Sequence, residues 1–333
     1  MQQEPIDAVI TWVDGSDPQH AKKLDDYLAS IGKSRPRSAS KTRFHNAGEI
    51  DYCVTSILKF APWIRTIFIV TDNQQPQIFQ KLKGTKFESK IKIIDHKEIY
   101  KGYEQVLPTF NSSSILTMLW RIPELSEYFV FFNDDIFLIN PVKPENFFEN
   151  EKPVLRGSWR VMNEYLPHKV MISKIRSILG LRVNTDKVRP SHRERQQLAA
   201  KLAGFDKKYL RLPHVPHVWK KSTFANFFAQ FPERLISNIE PKFRSASQFV
   251  VEALACHLEI KSNTAVFDPV TRNVQLKPGE QSLWRIKDKL KAADKSDRLL
   301  FVCLQSVEVA SEDKQKLIFS WLDKRIGSVE DLI

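Results

Sequence analysis

The sequence has few cysteines, few glycines and no long hydrophobic run, and each shortage excludes a class of protein. Its three cysteines, Cys53, Cys256 and Cys303, are widely spaced among apolar neighbours, so we expect buried thiols rather than disulfides or a CxxC metal site. Only 10 of the 333 residues are glycine and 42% are hydrophobic, which excludes collagen-like and wholly disordered chains. No run of about 18 apolar residues occurs, so no membrane-spanning helix is expected.

The signature motifs of several common protein classes are also missing. The patterns GxxxxGK[ST], GxGxxG and GxSxG do not occur, which argues against P-loop, classical dinucleotide-binding and α/β-hydrolase proteins. No helix-turn-helix, zinc-finger or RNA-binding signature is present, so no nucleic-acid partner is expected. Residues 1–5 have no signal-peptide pattern, which predicts a cytoplasmic location.

Positive charge is concentrated in one segment of the chain. Residues 151–221 contain 17 basic and five acidic residues, a difference of 12 that equals the net charge of +12 for the whole chain. Such a segment attracts nucleotide phosphates, an anionic polymer or the anionic inner face of a membrane, where the protein would be peripheral. The alternative is a solvated basic face.

Four short apolar segments alternate with helix-like segments in the first 140 residues. Strands are expected over 6–13, 66–71, 90–94 and 128–132, and helices over 19–31, 49–60 and 113–122. This alternation is typical of a parallel α/β sheet. Each strand ends in polar residues, and ligands bind beyond the carboxyl ends of such strands, so a site is predicted at that edge. Asp and Asn are also common in turns, which is the alternative.

The rest of the chain is expected to form two further parts. Residues 1–140 would be the N-terminal part of an α/β catalytic core, 141–212 a basic and mostly helical insertion, and 213–333 the C-terminal part that completes the core. In this last part, helices are expected over 221–231, 247–258 and 312–325, and a strand over 299–304.

Two adjacent carboxylates, Asp134 and Asp135, follow Asn133 at the end of the fourth apolar segment and precede a second apolar run. Charged side chains seldom lie unpaired among apolar ones. Carboxylate oxygens are the ligands that Mg²⁺ or Mn²⁺ prefers, and such a metal neutralises a pyrophosphate. We therefore predict that Asp134 and Asp135 are metal ligands, with a surface turn as the alternative.

Two histidines and one arginine in the C-terminal part are candidates for contact with phosphate. His214 and His217 flank Pro216 without further Cys or His at zinc-ligand spacing, so proton transfer or phosphate binding is favoured over zinc. One of the pair could instead be a core histidine. Arg244 is a candidate phosphate ligand because its guanidinium offers two parallel donors.

Four segments of the chain resemble the Stealth proteins, namely residues 6–18, 43–75, 107–138 and 214–257. These proteins are sugar-1-phosphate transferases of bacterial capsule and exopolysaccharide synthesis, related to the eukaryotic enzyme that adds N-acetylglucosamine-1-phosphate to lysosomal glycoproteins. The resemblance implies a Rossmann-like, GT-A-like fold and a metal-dependent phosphotransferase using Mg²⁺ or Mn²⁺. It would transfer hexose-1-phosphate from a UDP-sugar to a hydroxyl of an oligo- or polysaccharide acceptor and release UMP.

The resemblance also assigns roles to individual residues. Donor binding would involve Trp12, Gly15, Asp17, Arg43, Asn111, Ser112 and Asn133. The catalytic group would comprise Asp14, His214, His217 and Arg244, with Asp134 and Asp135 as metal ligands and either Asp14 or His217 as the base. Two positions depart from the family pattern: Gln248 stands where Asp is usual, and Gln305-Ser306 where Asn-Asp is usual. The alternative functions are a metal-dependent glycosyltransferase that releases UDP and a non-catalytic polyanion-binding protein.

Overall fold

A computed structural model describes residues 4–36, 47–167, 171 and 191–333. The strands in this part of the chain are β1 (Ile6–Thr11), β2 (Ile67–Thr71), β3 (Ile91–Asp95), β4 (Tyr128–Asn133), β5 (Ile136–Leu138), β6 (Phe148–Glu149), β7 (Lys152–Arg156), β8 (Ser158–Val161), β9 (Lys208–Arg211), β10 (His217–Lys220), β11 (Val266–Asp268), β12 (Asn273–Leu276) and β13 (Phe301–Leu304). The α-helices are α1 (Pro18–Ser30), α2 (Glu49–Phe60), α3 (Gln77–Leu82), α4 (His96–Ile99), α5 (Ser112–Met118), α6 (His192–Leu202), α7 (Lys221–Gln230), α8 (Pro232–Ile239), α9 (Val251–Lys261), α10 (Leu283–Asp294) and α11 (Glu312–Arg325).

The central sheet has five strands in the order β10-β4-β1-β2-β3. Strands β4, β1, β2 and β3 are parallel to one another, and β10 pairs antiparallel with β4 at one edge. The predicted parallel α/β sheet is therefore confirmed, and all four predicted N-terminal strands are present. The register places Thr11 opposite Asn133, so the carboxyl ends of β1 and β4 meet at one edge of the sheet.

Both faces of the central sheet are buried, which explains why its strands are almost continuously apolar. Successive side chains of a strand point to opposite faces. In β1, Ile10 packs in one hydrophobic cluster with α2, α10 and α11, whereas Val9 packs in a second cluster with α5, α7 and α9. Phe131 and Phe132 of β4 are divided between the same two clusters. Helices therefore cover the sheet on both sides, as expected for parallel strands.

The described parts of 141–212 differ from the mostly helical segment that the sequence predicts. A helix is present at α6, but β6 and β7 form an antiparallel pair, and β8 pairs antiparallel with β9. In addition, β7 pairs with β11, whose residues lie more than a hundred positions further along the chain. These strands are short, and β7 and β8 pair with the distant strands β11 and β9, so local periodicity does not reveal them.

The C-terminal residues complete the same core rather than forming a separate one. Strand β10 lies at the edge of the central sheet, and β12 and β13 form a three-stranded sheet with β5. Side chains from both ends of the chain share one hydrophobic cluster, for example Ile57 of α2 and Trp321 of α11. Cys53, Cys256 and Cys303 are all buried free thiols, as predicted. Among the described residues, no helix is both long and apolar enough to cross a bilayer.

Candidate functional site

A cleft of about 690 Å³ opens beyond the carboxyl ends of β1, β2 and β4. Its floor includes Trp12 after β1, Asp72 after β2, and Asp134 and Asp135 after β4. Its far wall comes from α6 and from the C-terminal part of the chain. The site predicted at this edge of the sheet therefore coincides with a cleft large enough for a ligand.

Eight of the residues proposed from the sequence line this cleft, namely Trp12, Ser112, Asn133, Asp134, Asp135, His214, His217 and Arg244. Asp14, Gly15, Asp17 and Asn111 are not among its lining residues. Arg43 lies outside the described residues. The proposed residues that line the cleft are up to 232 positions apart in the sequence, from Trp12 to Arg244.

Asp134 and Asp135 form the short connection between β4 and β5. The backbone N–H of Leu304 donates to the carbonyl oxygen of Asp135 at 2.8 Å, which anchors the connection to the end of β13. Burial raises the pKa of both carboxyl groups, and the nearby Glu49 carboxylate raises both pKa values further. No ion pair between described residues involves either side chain. Two crowded carboxylates without a cationic partner are the electrostatic setting that a bound cation would relieve.

The donor chemistry of this pair fits a hard divalent cation. Mg²⁺ in proteins is commonly held by one or two carboxylates, with waters and substrate phosphates completing its coordination. Within the described ranges, no group of three or more His, Cys, Asp and Glu side chains is arranged to enclose a metal ion. Asp134 and Asp135 are therefore the residues that would hold such a cation.

His214, His217 and Arg244 also line the cleft. His217 begins β10 and lies opposite Phe131 of β4, so the central sheet fixes its position. An Nη2 hydrogen of Arg244 is donated to Oγ of Ser112 at 2.7 Å, which links the arginine to the start of α5. Gln305, one of the departures from the family pattern, also lines the cleft, with its Nε2 3.5 Å from Nδ1 of His214.

The pKa values of His214 and His217 are both lowered. Burial, together with the smaller effects of the neighbouring His214 and His192, lowers the pKa of His217 to about 3. The pKa of His214 is also lowered, by burial and then by the charges of Lys277 and Arg211. Before a ligand binds, these side chains are therefore hydrogen-bonding groups and proton acceptors rather than fixed cations.

The loop after β1 uses its carboxylates to hold its own shape. Oδ1 of Asp14 accepts hydrogen bonds from the backbone and the hydroxyl of Ser16, at 2.8 and 2.6 Å. Asp17 caps α1 by accepting from the backbone N–H groups of Gln19 and His20. Gln74 clamps the backbone of Asp14 with two hydrogen bonds. These contacts order the loop at the edge of the cleft, while the ligand contacts of Asp14, Gly15 and Asp17 stay predictions.

Asn111 and Gln248 belong to a buried network behind the cleft wall. Nδ2 of Asn111 donates to Oε1 of Gln248 at 3.0 Å and to the carbonyl of Pro241 at 2.7 Å. Gln248 in turn donates to the carbonyl of Asn238 and accepts from the backbone N–H of Ser245. Both amide side chains are fully buried. Gln248 therefore fastens the loop that carries Arg244 to α5, and a ligand role for Asn111 stays a prediction.

Several residues of the cleft were not proposed from the sequence. His192 and Arg195 come from α6, and Glu252 comes from the first turn of α9. Nε1 of Trp12 and Oγ1 of Thr109 are buried beside the cleft without a hydrogen-bond partner among the described residues. Buried polar atoms normally have partners, so these two are candidates for contact with a ligand. His192 is a polar residue in a basic helix, so the local sequence does not indicate that it lines the cleft.

The lowered pKa of His217 predicts a pH-dependent stability. The unfolded imidazole takes up a proton near its ordinary pKa of 6.5, whereas the folded one stays neutral down to about 3. The free energy of unfolding should therefore be highest above pH 6.5 and fall as the pH is lowered from 6.5 towards 3. Urea unfolding at pH 7.5 and 5.0 measures this loss, which should be smaller in His217→Gln. An equal loss in both proteins would contradict the assignment.

Comparison with known proteins relates this cleft to one family. Residues 4–32 match conserved region 1 of the Stealth proteins, and residues 43–155 match conserved region 2. The chain is 42% identical over 150 residues to a capsular polysaccharide phosphotransferase of Actinobacillus pleuropneumoniae, covering 45% of this chain and 40% of that protein. It is 34% identical over 245 residues to an exopolysaccharide phosphotransferase of Streptomyces coelicolor, covering 72% of this chain and 40% of that protein. The chain thus spans about two fifths of the length of these relatives.

Two solved glycosyltransferase structures are similar at a distance. The galactosyltransferase LgtC, in complex with donor and acceptor sugar analogues, aligns with 90% of this chain and 87% of its own at a TM-score of 0.42 and 8% identity. Mouse xyloside xylosyltransferase 1, in its apo form, aligns with 91% of this chain and 98% of its own at a TM-score of 0.39 and 9% identity. The sequence matches, by contrast, include the loop after β1 and the Asp134-Asp135 connection. They confirm the resemblance that the motifs indicate, and the chain carries conserved regions 1 and 2 of the Stealth proteins.

Proposed function

We propose that this protein transfers hexose-1-phosphate from a UDP-sugar to a sugar hydroxyl and releases UMP. The product would be a phosphodiester-linked capsular or exopolysaccharide, and the donor a UDP-hexose or UDP-N-acetylhexosamine. The observation that carries the proposal is that Asp134, Asp135, His214, His217 and Arg244 all line one cleft. The capsular and exopolysaccharide phosphotransferases among its relatives support the same reaction class.

In this reaction the acceptor hydroxyl oxygen attacks the β-phosphorus of the UDP-sugar. The bond from that phosphorus to the bridging oxygen breaks, UMP leaves, and the bond between the sugar and its phosphate is kept. Phosphoryl transfer of this kind depends mainly on positioning and on neutralisation of charge. Mg²⁺ or Mn²⁺ held by Asp134 and Asp135 would supply charge neutralisation at the pyrophosphate.

Arg244 and His217 would position the transferred phosphate and accept the proton of the acceptor hydroxyl, respectively. Arg244, oriented by Ser112, would hold oxygens of the transferred phosphate with its guanidinium. Between the two candidate bases, His217 lines the cleft, whereas the Asp14 carboxylate is engaged with Ser16. A bound phosphate would raise the pKa of His217 by stabilising its protonated form, which would let it accept the proton of the acceptor hydroxyl.

The basic segment 151–221 is proposed to hold the growing anionic polymer or to contact the anionic inner membrane face. Part of its charge is used within the protein. Arg156 pairs with Asp268 at 3.3 Å, Lys201 with Glu164 at 2.7 Å, and Lys220 with Glu259 at 3.3 Å. Among the described basic residues of the segment, Arg160, Lys207 and Lys208 are exposed and therefore accessible to a polyanion.

The identity of the released nucleotide tests the proposed reaction. The purified protein is incubated with UDP-N-acetylglucosamine, Mg²⁺ and a short capsule-type oligosaccharide, and the products are separated by mass and by anion exchange. UMP together with an acceptor heavier by a hexose phosphate is the expected result. UDP together with an acceptor heavier by a sugar alone would instead show a glycosyltransferase. If no donor from a panel of UDP-sugars yields a nucleotide, the proposal is wrong and a binding role is favoured.

A further inference from the structure

Helix α6 contributes a histidine to the cleft that the proposed reaction has not yet used. His192 is the first residue of this helix, and its imidazole lines the open cleft beside His214. The two rings are nearly parallel, with an interplanar angle of 19° and centroids 6.5 Å apart. The helix itself is anchored, because Arg195 donates to the carbonyl of Gln248 and to the hydroxyl of Ser113. His192 therefore occupies a fixed position in the wall.

The neighbours of His192 determine which of its ring nitrogens carries the proton. The backbone N–H of Leu212 donates to Oε1 of Gln196 at 3.0 Å, and a backbone N–H can only donate, so the amide oxygen of Gln196 faces Leu212. The amide nitrogen of Gln196 then faces Nδ1 of His192 at 3.1 Å. An amide nitrogen donates and does not accept, so Nδ1 must be the unprotonated acceptor. In the neutral ring the proton is therefore on Nε2.

Nε2–H of His192 has no protein partner among the described residues. The charged groups that face this ring are cationic, namely Arg195 on its own helix, Arg211 at the end of β9 and Arg244 on the loop before α9, with His214 as the neighbouring imidazole. Desolvation within the cleft, together with these groups, lowers the pKa of His192 to about 4, which favours the neutral ring with Nε2–H as a donor. A fixed donor surrounded by guanidinium groups is suited to an anionic oxygen.

We propose that Nε2–H of His192 donates a hydrogen bond to a phosphate oxygen of the nucleotide-sugar bound in the cleft, and that Gln196 is the positioning residue that fixes this tautomer. The inference rests on the proposed function for the identity of the ligand. The basic segment 151–221 would then take part in binding the nucleotide-sugar, because it contains α6, which lines the cleft.

Binding of UDP measures the proposed contact without requiring turnover. Isothermal titration calorimetry with Mg²⁺ compares the wild type, His192→Ala, His192→Gln and the control Asn226→Ala, which alters an exposed uncharged residue of α7 that does not line the cleft. Loss of a hydrogen bond to a charged group should weaken UDP binding about 10- to 100-fold in His192→Ala. His192→Gln should restore most of the affinity, because its amide nitrogen can take the place of Nε2, and Asn226→Ala should bind like the wild type.

Uridine binding and NMR isolate the contact between His192 and phosphate. Uridine lacks phosphate, so its affinity should be equal in the wild type and in His192→Ala, and an equal loss for uridine and UDP would overturn the phosphate assignment. Unchanged UDP binding by His192→Ala would overturn the contact while leaving the proposed function intact. A wild type that binds no UDP would refute the proposed donor and this ligand together. Long-range ¹H–¹⁵N correlation should show the Nε2–H tautomer for the signal missing in His192→Gln, and an Nδ1–H tautomer would contradict the role of Gln196.

Discussion

Replacing Asp135 with asparagine is expected to abolish sugar-1-phosphate transfer without lowering the melting temperature of the protein. Asp135 lies in a crowded anionic pair with Asp134, and burial and the Glu49 carboxylate raise its pKa. Removing its charge relieves repulsion in the folded protein but removes an oxygen ligand for the cation. A metal supplies several kcal/mol of charge stabilisation in such reactions, and each 1.36 kcal/mol is a factor of ten, so the rate should fall by about 10³-fold or more.

Transfer rates and thermal unfolding with and without Mg²⁺ test this expectation together. Mg²⁺ should raise the melting temperature of the wild type, since a ligand that binds only the folded state stabilises it, and should not do so in the double variant of Asp134→Asn and Asp135→Asn. Asp26→Asn is the matched control, because Asp26 pairs with Lys22 on the exposed face of α1. Normal turnover by Asp135→Asn with a retained Mg²⁺ requirement would refute the ligand assignment.

The edge of the sheet that carries the site could be predicted because its signals are local. Each strand of the parallel core is a short apolar run followed at once by polar residues, and parallel strands bring those endings to one edge. Asp134 and Asp135 stood out because two charges interrupt an apolar sequence. The bounds of α2 and α11 matched their predicted ranges, since their apolar periodicity is buried against one cluster.

The far wall of the cleft could be predicted only in part, because distant pairing builds it. His192 lies in the site because Arg195 anchors α6 to the loop that follows Arg244. Asn111 immediately precedes α5, next to the cleft residue Ser112, yet its side chain turns inward to Gln248, 137 positions away. A local sequence pattern shows which residues are polar. The direction of a side chain depends on tertiary partners that lie far away in the sequence.

Replacing Arg244 with lysine is expected to lower kcat/KM for the nucleotide-sugar by about 10²-fold or more, since loss of one preorganised donor to a developing oxyanion has that size of effect. Lysine keeps the positive charge but offers a single compact ammonium in place of a planar guanidinium with parallel donors. One nitrogen of Arg244 is already directed by Ser112 at 2.7 Å, so the geometry of the remaining donors is fixed. Lysine cannot contact both Ser112 and the phosphate in the same way.

Ser112→Ala provides the graded comparison for Arg244→Lys. It removes only the group that orients the guanidinium, so we expect a loss of less than about tenfold, in line with a single neutral hydrogen bond. Circular dichroism and thermal unfolding should show that both variants are folded, because Arg244 and Ser112 line the cleft rather than the core. Equal activity of Arg244→Lys and the wild type would mean that charge alone acts at this position. The phosphate would then be held by the histidines and the cation rather than by a guanidinium.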